Sequence, residues 1–273
     1  MEGESTVNLG LKGKRAIITG GSKGIGRATA LQLAREGADV FLCARGREGL
    51  DAAAALIRAE VLNAKVAWGQ ADLQHEVEAA RVVGEAIEAL GGLDILINCA
   101  GAAPGGLLLE LDDETWHKAL GLKFLGYVRM AKAVVPHLMT QGGVIVNVVG
   151  NDGVKPSYWE LTGTAANAAD LAVMQALADQ YGRHGIRVVS VNPGPVDTGR
   201  WEGLTAAFAR DKHISYARAD EVARASMGFG RIARPEEVAD VVVFLASERA
   251  SFVHGTQITI DANQRKAIMD VDA

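Results

Sequence analysis

The stretch Thr19-Gly20-Gly21-Ser22-Lys23-Gly24-Ile25-Gly26 decides the fold of this chain. It follows a short apolar run at 15–19 and opens an amphipathic run at 24–36, so it lies where a strand turns into a helix. Glycines at this spacing allow a tight turn, bring the backbone close to a bound pyrophosphate and let the helix pack against the strand. The stretch therefore predicts a dinucleotide-binding turn.

Apolar and amphipathic runs then alternate along the chain. The short apolar runs predict seven strands, at 15–19, 40–44, 65–70, 93–98, 143–149, 187–192 and 257–261. The amphipathic runs predict helices near 24–36, 47–62, 74–90, 112–139, 161–183 and 235–247. Strands that alternate with helices require right-handed crossovers and a parallel sheet covered on both faces. We predict an α/β fold, a doubly wound parallel sheet (Rossmann fold) of seven strands.

No Pro/Gly/Ser-rich linker divides the sequence, so 1–273 is predicted to be a single dinucleotide-binding domain. The segment at about 199–230 interrupts the alternation with a long, charged, helix-forming insertion. It lies where a substrate lid would sit, and a solvated excursion is the alternative.

The net charge is −5, which gives no overall attraction to nucleic acid or to a membrane surface. Cys43 and Cys99 lie in apolar runs and are predicted to be reduced thiols, as in a cytoplasmic protein. Six scattered histidines show no ligand spacing, so no metal site is predicted. We expect a soluble cytoplasmic protein with a small-molecule substrate.

Several further motifs accompany the glycine turn in a fixed order. They are Ala71-Asp72-Leu73, Asn98-Cys99-Ala100-Gly101, Asn192-Pro193-Gly194-Pro195-Val196-Asp197-Thr198, and Gly230-Arg231 followed by Arg234-Pro235-Glu236-Glu237-Val238-Ala239. With the G-x-x-x-G-x-G turn, they resemble the short-chain dehydrogenase/reductase family over nearly the whole chain. The resemblance implies a nicotinamide dinucleotide bound by Gly20, Ser22, Lys23, Gly24, Ile25, Gly26, Arg45, Asp72, Leu73, Asn98, Ala100, Gly101, Pro193, Gly194, Val196 and Thr198.

The end of the second strand favours NADP over NAD. A carboxylate there would bind the ribose 2′-hydroxyl of NAD and repel a 2′-phosphate, but Ala44 and Arg45 occupy that position. Asp39 starts the strand and so lies at its wrong end. Arg45 and Lys23 supply cations for a phosphate, with ordinary solvated charges as the alternative.

The residues that the resemblance implies for catalysis are replaced. The family uses a tyrosine as general acid or base, a lysine four residues later, a serine and an asparagine. Here the tyrosine position is Gly163, and the lysine position is Asn167. The serine position is Gly150, or Asn151 with a shift of one, and the asparagine position is Lys123. The chain resembles a divergent branch with intact cofactor motifs.

Three candidates remain for the chemistry. Lys123 and Asn167 occupy each other's family positions, and these two positions are neighbours in the family. Lys123 lies on an apolar helix stripe, so its ammonium is expected in the pocket. The alternative is that its stem lies along the apolar surface and its ammonium reaches solvent. Tyr158 lies five residues before Gly163 and would reach the nicotinamide only if the loop folds back. Asp152 and Glu160 belong to the same polar stretch.

These features predict an NADP-binding oxidoreductase acting on a small carbonyl or alcohol through a modified proton-transfer apparatus. One alternative is a dinucleotide-binding pseudoenzyme that acts as a sensor or assembly partner. Another is a non-redox lyase or isomerase with Lys123 as base. The family resemblance implies a homodimer or homotetramer, and an alanine-rich face on the helix at 161–183 suits close packing.

Overall fold

The computed structural model describes residues 7–266 and 268, in which seven parallel strands form one sheet. The strands are β1 (Arg15–Thr19), β2 (Asp39–Ala44), β3 (Val66–Gln70), β4 (Ile95–Asn98), β5 (Gly143–Val148), β6 (Ile186–Pro193) and β7 (Thr256–Ile260). Their order is β3-β2-β1-β4-β5-β6-β7, which is the doubly wound arrangement of a Rossmann fold. The predicted fold class is confirmed, with strand ends that shift by at most two residues.

Helices cover both faces of the sheet. They are α1 (Gly24–Arg35), α2 (Arg47–Glu60), α3 (Glu76–Leu90), α4 (Asp113–Ala119), α5 (Leu125–Leu138), α6 (Leu161–Tyr181), α7 (Gly199–Asp211), α8 (Tyr216–Ser226) and α9 (Pro235–Ala246). Helices α1, α2 and α9 share one apolar core with Ile18 of β1, while α3, α5 and α6 share the other with Ile17. The five inner strands are buried almost throughout, so they are largely apolar runs, whereas the edge strands β3 and β7 are partly exposed.

The predicted helix at 112–139 is not continuous. A π-helical turn, Leu120–Phe124, separates α4 from α5. The Arg129 guanidinium donates a 2.8 Å hydrogen bond to the carbonyl oxygen of Gly121 in this turn. A π turn changes the direction of the side chains that follow it, and such turns are frequent at functional sites. Lys123 lies inside this turn.

The predicted insertion at 199–230 contains α7 and α8. Its apolar side packs on the segment before α6, where the rings of Trp159 and Phe208 meet edge to face at 5.4 Å. The Trp159 indole also donates to Asp211 at 2.9 Å. These contacts position α7 beside the carboxyl ends of the strands.

Within residues 7–266, no helix combines the length and the apolar character needed to cross a membrane.

Candidate active site

A cleft of about 850 Å³, its mouth included, opens beside the carboxyl ends of the central strands. The strand order reverses between β1 and β4, and ligands of doubly wound sheets bind in the crevice outside such a reversal. Predicted cofactor residues from three loops line the cleft: Ile25, Gly101, Pro193, Gly194, Val196 and Thr198. The structure therefore brings together residues that are more than 90 positions apart in the sequence.

The glycine turn has a shape that side chains would fill. A Cβ on Gly26 would lie 2.4 Å from the carbonyl oxygen of Gly20, and a Cβ on Gly20 would lie 3.0 Å from the backbone of Ala100. Gly24 has a φ of +55°, which favours glycine. The Lys23 side chain, at the N-cap of α1, accepts no hydrogen bond from the backbone N–H groups of the first turn. This backbone cradle at a helix N-terminus fits the pyrophosphate of a dinucleotide.

The loop after β4 is held against the glycine turn through Thr19. The Thr19 hydroxyl oxygen accepts hydrogen bonds from the N–H groups of Cys99 (2.9 Å) and Ala100 (3.1 Å). Asn98 is fully buried, and its side-chain amide donates to Asn147 Oδ1 at 2.9 Å. The Asn98 side chain thus joins β4 to β5 and does not line the cleft.

The loops predicted to hold the outer end of the cofactor carry exposed cations. Arg45 follows β2 and Lys23 precedes α1, and both are exposed. Asp39 lies at the opposite end of β2, where its carboxylate is 3.4 Å from the Lys65 ammonium. No carboxylate therefore ends β2, which terminates at Ala44.

The loop after β3 contains Asp72 and Leu73. The Asp72 carboxylate accepts a hydrogen bond from the backbone N–H of Gln74 at 3.1 Å, which fixes the turn. Leu73 is buried, and its carbonyl oxygen accepts from Arg129 at 3.0 Å. The loop is tied to α5 in this way.

Lys123 points into the cleft and is almost completely buried. Its ammonium donates to the carbonyl oxygen of Val149 at 2.6 Å and lies 5.5 Å from the centre of the Tyr127 ring. A Cβ on Gly101 would lie 3.2 Å from Nζ. Burial lowers the pKa of Lys123 to about 8, while the charge of Asp170 opposes that shift. The expected inward direction is observed, and the solvent-extended alternative is not.

Asp170 is a buried carboxyl that the sequence analysis missed. Neither of its oxygens has a hydrogen-bond partner among the described residues. Burial raises its pKa to about 8, and the positive charge of Lys123 opposes the shift. The signal was present in the sequence, because Asp170 lies three residues after Asn167 on the inward stripe of α6.

Asn167 and Gly150 are in direct contact. A Cβ on Gly150 would lie 2.6 Å from Asn167 Nδ2, and Gly150 has a φ of +144°. Asn167 is buried, lines the cleft, and its Oδ1 has no partner among the described residues. Lys123 donates to Val149, the residue before Gly150. The exchanged lysine and asparagine therefore contact adjacent residues just after β5.

The space beside Gly163 is occupied by an acidic side chain. A Cβ on Gly163 would lie 3.2 Å from Asp152 Oδ2. Lys266, which follows β7, forms ion pairs with Asp152 and, at 3.1 Å, with Glu160. Lys266 was not predicted from the sequence, because no pattern connects it to residues more than 100 positions earlier.

Tyr158 lies outside this group. It is 37% exposed, and the Lys212 ammonium lies 4.8 Å from the centre of its ring. Tyr158 does not line the cleft in the part of the chain described. The structure therefore does not bring it together with Lys123 and Asn167.

Comparison with known proteins identifies the family of this chain. The sequence model of a family described as enoyl-(acyl carrier protein) reductase matches residues 20–262. Meso-2,3-butanediol dehydrogenase from Serratia marcescens is 32% identical over 249 residues, which cover 91% of this chain and 93% of that protein. A short-chain dehydrogenase/reductase from Aspergillus oryzae is 34% identical over 255 residues, which cover 92% and 95%.

The fold is also close to solved structures. A crystal structure of L-sorbose reductase from Gluconobacter frateurii, complexed with NADPH and L-sorbose, superimposes with a TM-score of 0.87 at 31% identity. The match covers 94% of this chain and 98% of that one. The matched sequence, the parallel sheet and the glycine turn agree with one another. This chain belongs to the short-chain dehydrogenase/reductase family of oxidoreductases.

Proposed function

We propose that this protein is an NADP(H)-dependent oxidoreductase that transfers a hydride between the nicotinamide and a small carbonyl or alcohol. One observation carries the proposal: Lys123 is buried in the same cleft that Ile25, Val196 and Thr198 line. A buried ammonium beside a dinucleotide site supplies positive charge where negative charge develops on a reacting oxygen.

Lys123 and Asn167 are the residues proposed to act at the reacting end. When bound, NADPH supplies the hydride. Lys123 would hold the nicotinamide ribose and stabilise negative charge, and the unpaired Asn167 Oδ1 would accept a hydrogen bond from a substrate hydroxyl. We assign no catalytic role to Tyr158, because its ring packs beside Lys212.

NADP is the proposed cofactor. Arg45 and Lys23 are exposed where β2 and β1 end, and Arg47 begins α2 immediately after Gly46. A 2′-phosphate would meet these cations and the N-terminus of α2. The NADPH in the L-sorbose reductase structure supports this choice by similarity.

A symmetric homodimer or homotetramer is the proposed assembly. Ala168 and Ala172 are exposed on α6, and Ala165 and Ala169 are only partly buried. This small-residue face suits close packing against the same helix of a second copy. Light scattering at micromolar concentration is expected to give a dimer or tetramer, and a monomer would contradict the proposal.

Helices α7 and α8 are the proposed lid of this single domain. Arg200, Trp201 and Leu204 of α7 line the cleft directly. A segment in that position closes over a substrate and excludes water from the reacting atoms.

The deciding experiment measures NADPH oxidation by absorbance across a broad panel of small ketones and aldehydes. Steady turnover is expected. The glycines at the serine and tyrosine positions, Gly150 (half-buried) and Gly163 (buried), favour the pseudoenzyme alternative, and tight NADPH binding without turnover would support it. A substrate converted without any change in NADPH absorbance would instead support a lyase or isomerase that uses Lys123 as its base.

A further inference from the structure

Asp152, Glu160 and Lys266 form an ionic cluster on the wall of the cleft. Asp152 belongs to the turn after β5, Glu160 precedes α6, and Lys266 belongs to the segment after β7. The Lys266 side chain is 7% exposed, and its ammonium contacts both carboxyl groups. Burial opposes its charge, but the carboxylates of Glu160 and Asp152 outweigh that effect and raise its pKa.

One ammonium cannot neutralise two carboxylates. The carboxyl groups of Glu160 and Asp152 both contact this one ammonium, so two negative charges meet at the same buried cation. Two carboxylates that share one buried cation repel each other, which favours a proton on one of them. Burial, and then the charge of Asp152, raise the pKa of Glu160 to about 7, while Lys266 opposes the shift.

The cluster faces the position where a substrate would react. Asp152 Oδ2 lies 3.2 Å from the Cβ position of Gly163, where the family's tyrosine would begin. Asn167, on the same wall, has a buried side-chain oxygen with no partner among the described residues. The unpaired Asn167 oxygen is a second, independent sign that a polar ligand completes this wall.

We propose that Glu160, paired with Asp152, is the proton donor that replaces the absent tyrosine. This inference rests on the proposed function. In the reduction direction, the hydride adds to the carbonyl carbon and the C=O π electrons move to oxygen. Glu160 then gives its proton to that oxygen, which leaves an alcohol, NADP⁺ and a Glu160 carboxylate. Lys266 stabilises the new carboxylate until water restores the proton.

The first test compares Glu160→Gln with Glu88→Gln, a change at an exposed glutamate of α3. Glu160→Gln is expected to lower kcat by about 100-fold or more, within the usual contribution of a general acid. NADPH affinity is expected to stay within about twofold of the wild type, because Glu160→Gln removes no charge-assisted contact to the cofactor. Glu88→Gln should keep the wild-type kcat.

The second test uses the pH dependence of kcat, which a merely structural role would not move. Reduction should slow as pH rises through the pKa of Glu160. The groups that face Glu160 are Asp152 and Lys266, and Lys123 and Arg200 are further cations along the cleft. Lys266→Met should move the alkaline limb to higher pH, because it removes a cation. Asp152→Asn should move it to lower pH, because it removes a like charge.

The outcomes separate this inference from the proposed function. A wild type that binds NADPH but reduces no carbonyl would overturn the proposed function and the proton donor with it. Two results would overturn the proton donor alone, given an active wild type. One is an equal kcat in Glu160→Gln, and the other is alkaline limbs of Lys266→Met and Asp152→Asn that do not shift in opposite directions. If Glu160→Gln fails to fold, the two limb shifts decide by themselves. Carbon-13 NMR of the carboxyl groups gives a further check, since one signal that titrates near neutrality should vanish in Glu160→Gln while that of Asp170 remains.

Discussion

The two ends of the cleft are built in different ways. The cofactor end is a backbone shape, in which Gly20, Gly24 and Gly26 leave room for a ligand within eight residues of chain. The reacting end is a set of ionisable side chains from distant segments, with Lys123, Asp170 and Glu160 all shifted in pKa by burial. The shape of the glycine turn is made by neighbouring residues, so a sequence pattern reveals it. The pKa shifts of the buried side chains depend on contacts that only the complete fold creates.

The largest expected effect is at the reacting end, for Lys123→Ala. Turnover should fall to background, because the variant loses the cation that lines the cleft. NADPH binding should weaken by about tenfold or more, since a charge-assisted hydrogen bond contributes about 1.5–3 kcal/mol. Titration of both variant and wild type with NADPH measures this.

Two companion variants sharpen the test of Lys123. Lys123→Arg should restore function only in part, because a planar guanidinium cannot copy a compact ammonium. The double variant Lys123→Asn/Asn167→Lys should bind NADPH better than either single variant. Unchanged affinity in Lys123→Ala would show that the lysine does not serve the cofactor, and would favour the pseudoenzyme.

At the cofactor end, Gly26→Ala should have the next largest effect. Its Cβ would lie 2.4 Å from backbone, so the turn must shift. A loss of about 1–3 kcal/mol in the free energy of unfolding is expected, together with weaker NADPH binding. The matched control is Gly84→Ala in α3, where a Cβ meets nothing within 4 Å. That change should raise stability by about 0.5–1 kcal/mol in the same urea titration. Equal effects of the two changes would contradict the proposed cradle.

Arg45→Ala should have a smaller and more selective effect. Loss of one phosphate contact should cost NADP about 1.5–3 kcal/mol of binding free energy and leave NAD almost unchanged. Arg183→Ala, in the turn after α6, is the control and should change neither affinity. Equal wild-type affinities for NADP and NAD would refute the proposed cofactor preference.

The sequence predicted the sheet and most of its covering helices well, because short apolar runs and amphipathic runs mark these elements locally. It could not show the π turn, since a hydrophobic period over 112–139 is compatible with an unbroken helix. It placed Lys123 in the cleft correctly from its apolar neighbours. Asp170 lies on the buried face of α6, which a helical period can indicate. Lys266 meets Asp152 and Glu160 only because the chain after β7 comes back to this end of the sheet. Such a long-range contact has no local signature.

The burial of Lys266 also sets an order of events during synthesis. The glycine turn and the loop after β4 are complete once about a hundred residues have emerged, since Gly20 and Ala100 already meet there. A chain emerges N-terminus first, and a domain generally folds as a unit. Asp152 and Glu160 must then wait for Lys266, more than 100 residues later, before a cation reaches them. A nascent chain therefore contains the glycine turn long before it contains the cation of the proton-transfer cluster, and this cluster is complete only when almost the whole chain has been made.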